Sequence, residues 1–290
     1  MQGRIFVYRN ARKELYMALT INTNLSSMIV QSNLTKSTNQ LNDAIERMTT
    51  GYKINHAKDN AAGYSIAKNW EAQLSSLDVA GENAAMGADM LATLEDNCTL
   101  IQSHLQRVRD LTEQAANGTY GADSKTAIQS EIQARLDEID RISANCEYNG
   151  ISLMSGSGAA KTIQVGIKAA DGSITLEASM FAGITAAGLG ITAANCAGSS
   201  AASQLATIDT AITNLSNRVT KIGAAQNRIE SAIESIGVQS ENITSSLSTL
   251  RDADVATESS KYIKAQILQQ ASATLLATAN QTPSIALNLL

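Results

Sequence analysis

LATIDTAITNLSNRVTKIGAAQNRIESAIESIGVQSENITSSLSTL, residues 205–250, sets its apolar side chains in steps of three and four. The series is Leu205, Ile208, Ile212, Leu215, Val219, Ile222, Ile229, Ile233, Ile236, Ile243, Leu247 and Leu250, with gaps at Gln226 and Ser240. Such spacing lays one narrow seam along a helix and requires partner helices beside it. At 1.5 Å per residue a helix over this stretch is roughly 69 Å long. A compact domain has no need of that length, so the spacing predicts a rod of helices packed side by side.

Working outward, the earlier chain supplies partners. Residues 25–50 carry Leu34, Leu41, Ile45 and Met48 at helical steps and stop at Gly51. The polar stretch 51–63, GYKINHAKDNAAG, reads as a turn or irregular link, with helix resuming near Tyr64. Leu91, Leu94, Cys98, Ile101, Leu105 and Val108 then form a second seam that ends near Asn117-Gly118. A third helix is marked by Ile128, Ile132, Leu136, Ile139 and Ile142, and Asn149-Gly150 is expected to close it. In 161–178, KTIQVGIKAADGSITLEA, Ile163, Val165 and Ile167 alternate, as do Ile174 and Leu176, around Asp171-Gly172. That predicts two short strands and a tight turn. Residues 180–202 are weakly patterned and read as surface loop.

A last helix is expected over 255–282, with Tyr262, Ile263, Ile267, Leu275 and Leu276, ended by Pro283. The tail beyond it is apolar: Ile285, Leu287, Leu289 and Leu290. An exposed apolar tail is unfavourable unless a partner covers it, so Leu268, Leu275, Leu276 and these four are expected to serve polymerisation. The predicted fold is mainly α, a long antiparallel coiled-coil-like helical rod with a small β-hairpin region and paired terminal helices. On periodicity alone a plain antiparallel bundle stays open.

Composition agrees with thin helical layers. Apolar residues make up 44% of the 290, yet only one Trp, two Phe and seven Tyr are present, so Ala, Leu and Ile fill the core. The single proline permits very long helices. A formal charge of -5 without a basic stripe argues against nucleic-acid binding. No apolar run approaches the roughly 18 residues of a membrane span.

Groups for catalysis are few. His56 lies in the polar link and His104 beside the second seam, with no HExxH motif. Hydrogen-bonding or surface roles suit both. Cys98, Cys146 and Cys196 have no metal-ligand spacing. The first two suit core filling, with a bridge between them as the alternative, while Cys196 is expected to be exposed in the loop. Asp137, Glu138, Asp140 and Arg141 read as a solvated helix face. Lys58-Asp59 either holds a bend between layers or makes turn chemistry. The SGSG at 155–158 is too short for a phosphate loop, and no nucleotide motif occurs. No catalytic residue, metal or cofactor is assigned.

Residues 1–16, MQGRIFVYRNARKELY, differ from the rest, with four basic residues against Glu14. They lack the apolar centre of a signal peptide. Lys13-Glu14 can be encoded by a ribosome-binding sequence just ahead of the Met17 codon. A misassigned start is therefore expected, with 1–16 a non-native extension; a real extension is the alternative.

Several ordered segments resemble bacterial flagellins. They are MALTINTN (17–24), AIERMTTGYKINHAKDNAAGYSIA (44–67), LQRVRDLTEQAANGTY (105–120), IQSEIQARLDEIDRIS (128–143), TIQVG (162–166), IGAAQNRIESAI (222–233) and AQILQQASATLLATANQ (265–281). The likeness covers about 17–178 and 203–290, with Met48-Thr49-Thr50-Gly51 departing from the common Leu-Ser-Ser-Gly. It implies a structural subunit that polymerises into the flagellar filament for motility, with no cofactor. It implies an inner filament-core domain, 17–60 with 251–290, whose ends order on assembly. It implies a rod domain with a hairpin, 61–178 with 203–250, and a short variable surface insert, 179–202. The rod seam would comprise Leu91, Leu94, Cys98, Ile101, Leu105, Val108, Ile212, Leu215, Val219, Ile222, Ile229, Ile233 and Ile236.

The resemblance also implies partners: copies of itself, an export chaperone with type III export, the filament cap and hook-associated proteins. It implies recognition by the vertebrate receptor TLR5 through Gln106, Arg107, Val108, Arg109, Leu111 and Glu131, and by NAIP proteins through residues near Leu287–Leu290. A hook–filament junction protein is the alternative, against which the LQQA segment Leu268–Ala271 argues. An enzyme on a helical scaffold is the other, and the small insert gives it little to work with.

Overall fold

The computed structural model describes residues 23–154, 156, 158–168, 172–198 and 200–287, with side chains as far as Gln281. It is mainly α. The described helices are α1 (Leu25–Thr50), α2 (Ala61–Ala116), α3 (Ala122–Asn145), α4 (Ala193–Ala197), α5 (Ala201–Arg251) and α6 (Val255–Leu287). Two small antiparallel pairs join β1 (Glu147–Tyr148) to β2 (Ile151–Ser152) and β3 (Lys161–Gln164) to β4 (Ser173–Leu176). The chain divides into two compact units, Met1–Ile66 with Ser248–Leu290, and Ala67–Leu247.

In the first unit α1 and α6 pair antiparallel. Thr38 Oγ1 accepts from Gln269 Nε2 at 3.2 Å, and Arg47 lies 3.8 Å from Glu258. Small residues fill the face between them: Ser37 and Ala44 on α1, Ala265 and Ser272 on α6, all buried. Without bulky side chains the two backbones approach closely. Local chemistry sets the helix ends. Asn24 caps α1, its Oδ1 accepting the Ser27 N–H at 3.0 Å. Gly51 ends α1 at φ 75°, a left-handed turn in which its N–H donates to the Arg47 carbonyl. Asn60 Oδ1 accepts the Gly63 N–H and starts α2 at Ala61, slightly earlier than expected.

α6 does not stop at Pro283 as the sequence suggested; it runs to Leu287. Proline removes one helical hydrogen bond, that to the carbonyl four residues back. Here that carbonyl belongs to Ala279, and Asn24 Nδ2 donates to it at 2.7 Å. A side chain thus supplies the missing donor.

In the second unit α2, α3 and α5 pack around one core. α2 is a single helix of 56 residues, unbroken by Gly81 or Gly87. A Cβ on Gly87 would collide with Ile163, so the glycine lets β3 lie against the helix. α5 has 51 residues, roughly 77 Å at 1.5 Å each. It runs antiparallel to α2: Arg109 meets Asp209 at 2.6 Å, and Gln226 Nε2 donates to Glu95 at 2.9 Å. The gap in the α5 series at Gln226 is therefore a polar contact, beside buried Ala225. The core joins Leu91, Leu94, Cys98, Ile101, Leu105 and Val108 of α2 to Leu215, Ile222 and Ile229 of α5 and Ile132, Leu136 and Ile139 of α3.

Several expectations need correction. Asn149-Gly150 does not end α3, which stops at Asn145. It turns the β1–β2 hairpin, with Asn149 at φ 50° and Gly150 at φ 75°. Residues 180–202 are not simply surface loop. Met180, Phe181, Ile184, Ile191, Cys196 and Ala197 are buried in the core, and α3 holds the segment by its backbone. Ser143 Oγ accepts the Ile184 N–H at 3.0 Å and Asp140 Oδ1 the Ala186 N–H at 2.7 Å. Ile233 is 38% exposed, because Ala232 turns toward the core in its place. The Asp171 part of the 161–178 turn lies outside the described residues.

The fully buried Ile229 gives a direct test. Ile229→Asp leaves an unpaired carboxylate in the seam and is expected to cost about 4 kcal/mol. Urea unfolding followed by far-ultraviolet circular dichroism measures it, and an unchanged midpoint contradicts the seam.

Candidate assembly surfaces

The α1–α6 pair buries small residues and turns large apolar ones outward. Ala265 is 3% exposed, whereas Ile267 is 59% and Leu275 56% exposed. Val255, Ile263 and Leu268 are also exposed on α6, as are Leu25, Met28, Ile29, Ile45 and Met48 on α1. Ile45 and Met48, expected on the packed stripe, lie on this outer face because Ser37 and Ala44 take the contact with α6. These ten side chains are about half exposed. Covering the remainder is worth roughly 1 kcal/mol each, half of the full-burial value, so on the order of 10 kcal/mol together. Fixing one molecule against another costs about 4–15 kcal/mol. Covering these faces is therefore about enough to offset that cost and no more.

Of the residues expected to serve polymerisation, Leu268 and Leu275 are exposed and Leu276 is half-buried. The side chains of Ile285 and Leu287 lie outside the described residues, as do Leu289, Leu290 and the whole of 1–16.

Where the first unit turns, two links lie side by side. Tyr52 and Asp252 form an antiparallel bridge, the Lys53 N–H donates to the Arg251 carbonyl at 2.7 Å, and the Ala253 N–H to Gly51 at 2.8 Å. The Arg251 guanidinium stacks 4.1 Å from the Tyr52 ring centre. Asp59 Oδ2 accepts the backbone N–H groups of His56 and Asn55. Of the two roles open for Lys58-Asp59, the aspartate makes turn chemistry. Beside this joint Glu258 is almost fully buried, with Oε1 2.7 Å from Lys261 Nζ. His56 Nε2 sits 2.7 Å from Glu46 on an exposed face.

On the second unit, Arg107 donates from Nε and Nη2 to Glu131 Oε1 at 3.1 and 2.9 Å, joining α2 to α3. Gln106 and Arg107 are exposed, and Arg109 is half-buried against Asp209 and Glu113. Val108 and Leu111 are core residues, Leu111 only 2% exposed, so the apolar contact expected of Leu111 is not presented at the surface. The helical period alone turns both inward, between exposed Gln106, Arg107 and Asp110.

Cys98, Cys146 and Cys196 are all free thiols and all buried. The expected exposure of Cys196 is corrected: it lies on the core-facing side of α4, fully buried, which rules out a link to a neighbour from this position. Burial pushes the Cys98 thiol up to about 11, although Arg218 opposes it. Arg218 itself donates from Nε to the Met180 carbonyl at 2.7 Å, another tie to the 178–197 segment. Sequence spacing gave no sign of that role, or of those of Asp140 and Ser143. Glu138 and Arg141 pair with each other, as a solvated face should, but Asp140 departs from that reading, half-buried and bonded to the Ala186 N–H. Among the described residues no group of three His, Cys, Asp or Glu is placed to hold a metal, and no helix is long and apolar enough to cross a membrane.

Two family models match the chain. The bacterial flagellin N-terminal helical region matches residues 21–159, and the C-terminal helical region matches 205–290. The chain is 34% identical to a flagellin of Bacillus subtilis, covering 94% of this chain and all of that one. It is 32% identical to the flagellar filament 30.7 kDa core protein of Treponema maltophilum, covering 90% and 96%. Among solved structures, a protein of Vibrio parahaemolyticus assigned as flagellar hook-associated superposes with a TM-score of 0.57 at 16% identity, over 67% of this chain and all of that one. That last likeness shows the fold alone.

The turns of the first unit are acid-sensitive. The Thr257 hydroxyl and then the Ala256 N–H hold the Asp254 carboxyl below its ordinary value, and the His56 and Asn55 N–H groups do the same for Asp59. A lowered folded pKa stabilises above the unfolded value of about 4 and is lost as pH falls through the folded one. The melting temperature should therefore drop on acidification from pH 7 toward pH 3. Asp254→Asn keeps an acceptor without the charge and should reduce the drop; an identical pH profile contradicts this.

Proposed function

We propose how this chain assembles from one premise: it belongs to the bacterial flagellin family. It is a structural subunit of the flagellar filament, a motility protein of the cell exterior, and its family polymerises with itself. The finer account is that α1 and α6 form the inner filament-core domain, 17–60 with 251–290, and polymerise through their outward faces. The observation that carries it is the inverted pair, with small residues inside and Ile263, Ile267, Leu268 and Leu275 outside. A soluble monomer gains nothing from that arrangement, whereas a chain flanked by copies buries both faces. Residues 61–178 with 203–250 form the rod domain, and 179–202 is a short insert whose first part and α4 are built into the core.

The resemblance supports type III export with a chaperone on the C-terminal helix, growth beneath a cap complex, and contact with hook-associated proteins. The Leu287–Leu290 end is assigned to NAIP recognition on the same ground. A hook–filament junction role is the second possibility; the filament proteins among the relatives favour the subunit.

For TLR5, what remains at the surface of the proposed contact is exposed Gln106 and Arg107 with half-buried Arg109 and Glu131, and Arg107 is already paired to Glu131. Binding then has to open or share that pair. Purified monomer is expected to activate receptor-bearing cells, and Arg107→Ala to weaken the response; silence at micromolar concentration refutes the contact.

Removal of 273–290 takes away Leu275, Leu276 and the apolar end. Sedimentation of the truncated protein should show no filaments, while circular dichroism retains most helix from the second unit. Long filaments from the truncated chain contradict the role of α6.

A further inference from the structure

The seam between α1 and α6 repeats. Ser37 and Ala44 are seven residues apart, and so are Ala265 and Ser272. A seam of small residues buries little apolar area, so packing alone holds the pair weakly. At the joint the Tyr52–Asp252 bridge and the hydrogen bonds beside it fix the register, and the far end, roughly 39 Å along α1, needs a tie of its own.

One group on α6 is unlike the others. Every helical carbonyl before the last turn expects an N–H four residues on. The chain's single proline, Pro283, has none to offer Ala279. Asn24 Nδ2 donates to that carbonyl at 2.7 Å from a part-buried position. The same side chain caps α1, with Oδ1 accepting the Ser27 N–H at 3.0 Å. Ser27 Oγ then donates to Asn280 Oδ1 at 2.8 Å. The first turn of α1 thus grips α6 at the one carbonyl that proline has freed.

We infer that Asn24 ties the far end of the α1–α6 pair together by recognising the Ala279 carbonyl that Pro283 leaves free. It is a positioning residue for assembly, and to that extent it rests on the filament function. Without that tie the first turn of α1 is free to lift from α6, and exposed Leu25, Met28 and Ile29 no longer form one surface with Leu275 for a neighbour.

The test is a double-mutant cycle in the full chain. Asn24→Ser keeps a good N-cap but is too short to reach Ala279. Pro283→Ala gives Ala279 its own helical donor. In the Pro283 background, Asn24→Ser should raise the critical concentration for sedimentable filaments about tenfold and lower amide-exchange protection across α1. In the Pro283→Ala background the same substitution should change both by less than about threefold. Equal effects in the two backgrounds, or none in the first, overturn the inference. If the wild type forms no filaments, the filament account fails instead, and the exchange arm alone decides the Asn24 tie.

Discussion

The close approach of α1 and α6 governs the rest. Ser37, Ala44, Ala265 and Ser272 bury almost no apolar area, yet they bring the backbones together and commit the larger residues to the outside. A pair built this way contributes little stability by itself. Its outward Ile and Leu side chains become favourable only when other surfaces cover them. Assembly is thus encoded in which residues the two helices turn toward each other.

The second unit follows the opposite rule. Most of its large residues meet in a main core along α2, α3 and α5, with a smaller cluster of Leu77, Ala80 and Ile236 beside it. The segment from Met180 to Ala197 is part of that core, tied down by Asp140, Ser143 and Arg218. A chain with so short an insert uses it as packing. The two units therefore divide the physical work: the second buries most of its large apolar residues in its own core, with a few such as Val79, Met86 and Val238 left exposed, while the first turns most of its own outward.

The long seams were legible because their period is strong. Leu91 to Val108 and Leu205 to Ile236 follow the three-four rhythm, and the structure puts helices there with most of those residues inside. The β3–β4 hairpin was legible from alternation. What failed was local. Asn149-Gly150 can stop a helix, but it is also the strongest hairpin signal, and the flanking strands are only two residues long. The 180–202 segment lacks any period, so burial by tertiary hydrogen bonds left no pattern to see. On the terminal helices apolar spacing marked the helix but not which face is covered, because small residues carry the contact. Leu111 differs from its expected role for a related reason: likeness to a family position does not say which way the helix turns the side chain.

Electron cryomicroscopy of the assembled full-length chain, at a resolution that shows side chains, examines the inverted pair most directly. The account predicts filaments in which Ile263, Ile267 and Leu275 are buried against neighbouring copies, while Ala44 and Ala265 remain in contact within each chain. Filaments that leave those three side chains in solvent, or a preparation that stays monomeric where related subunits polymerise, would contradict it.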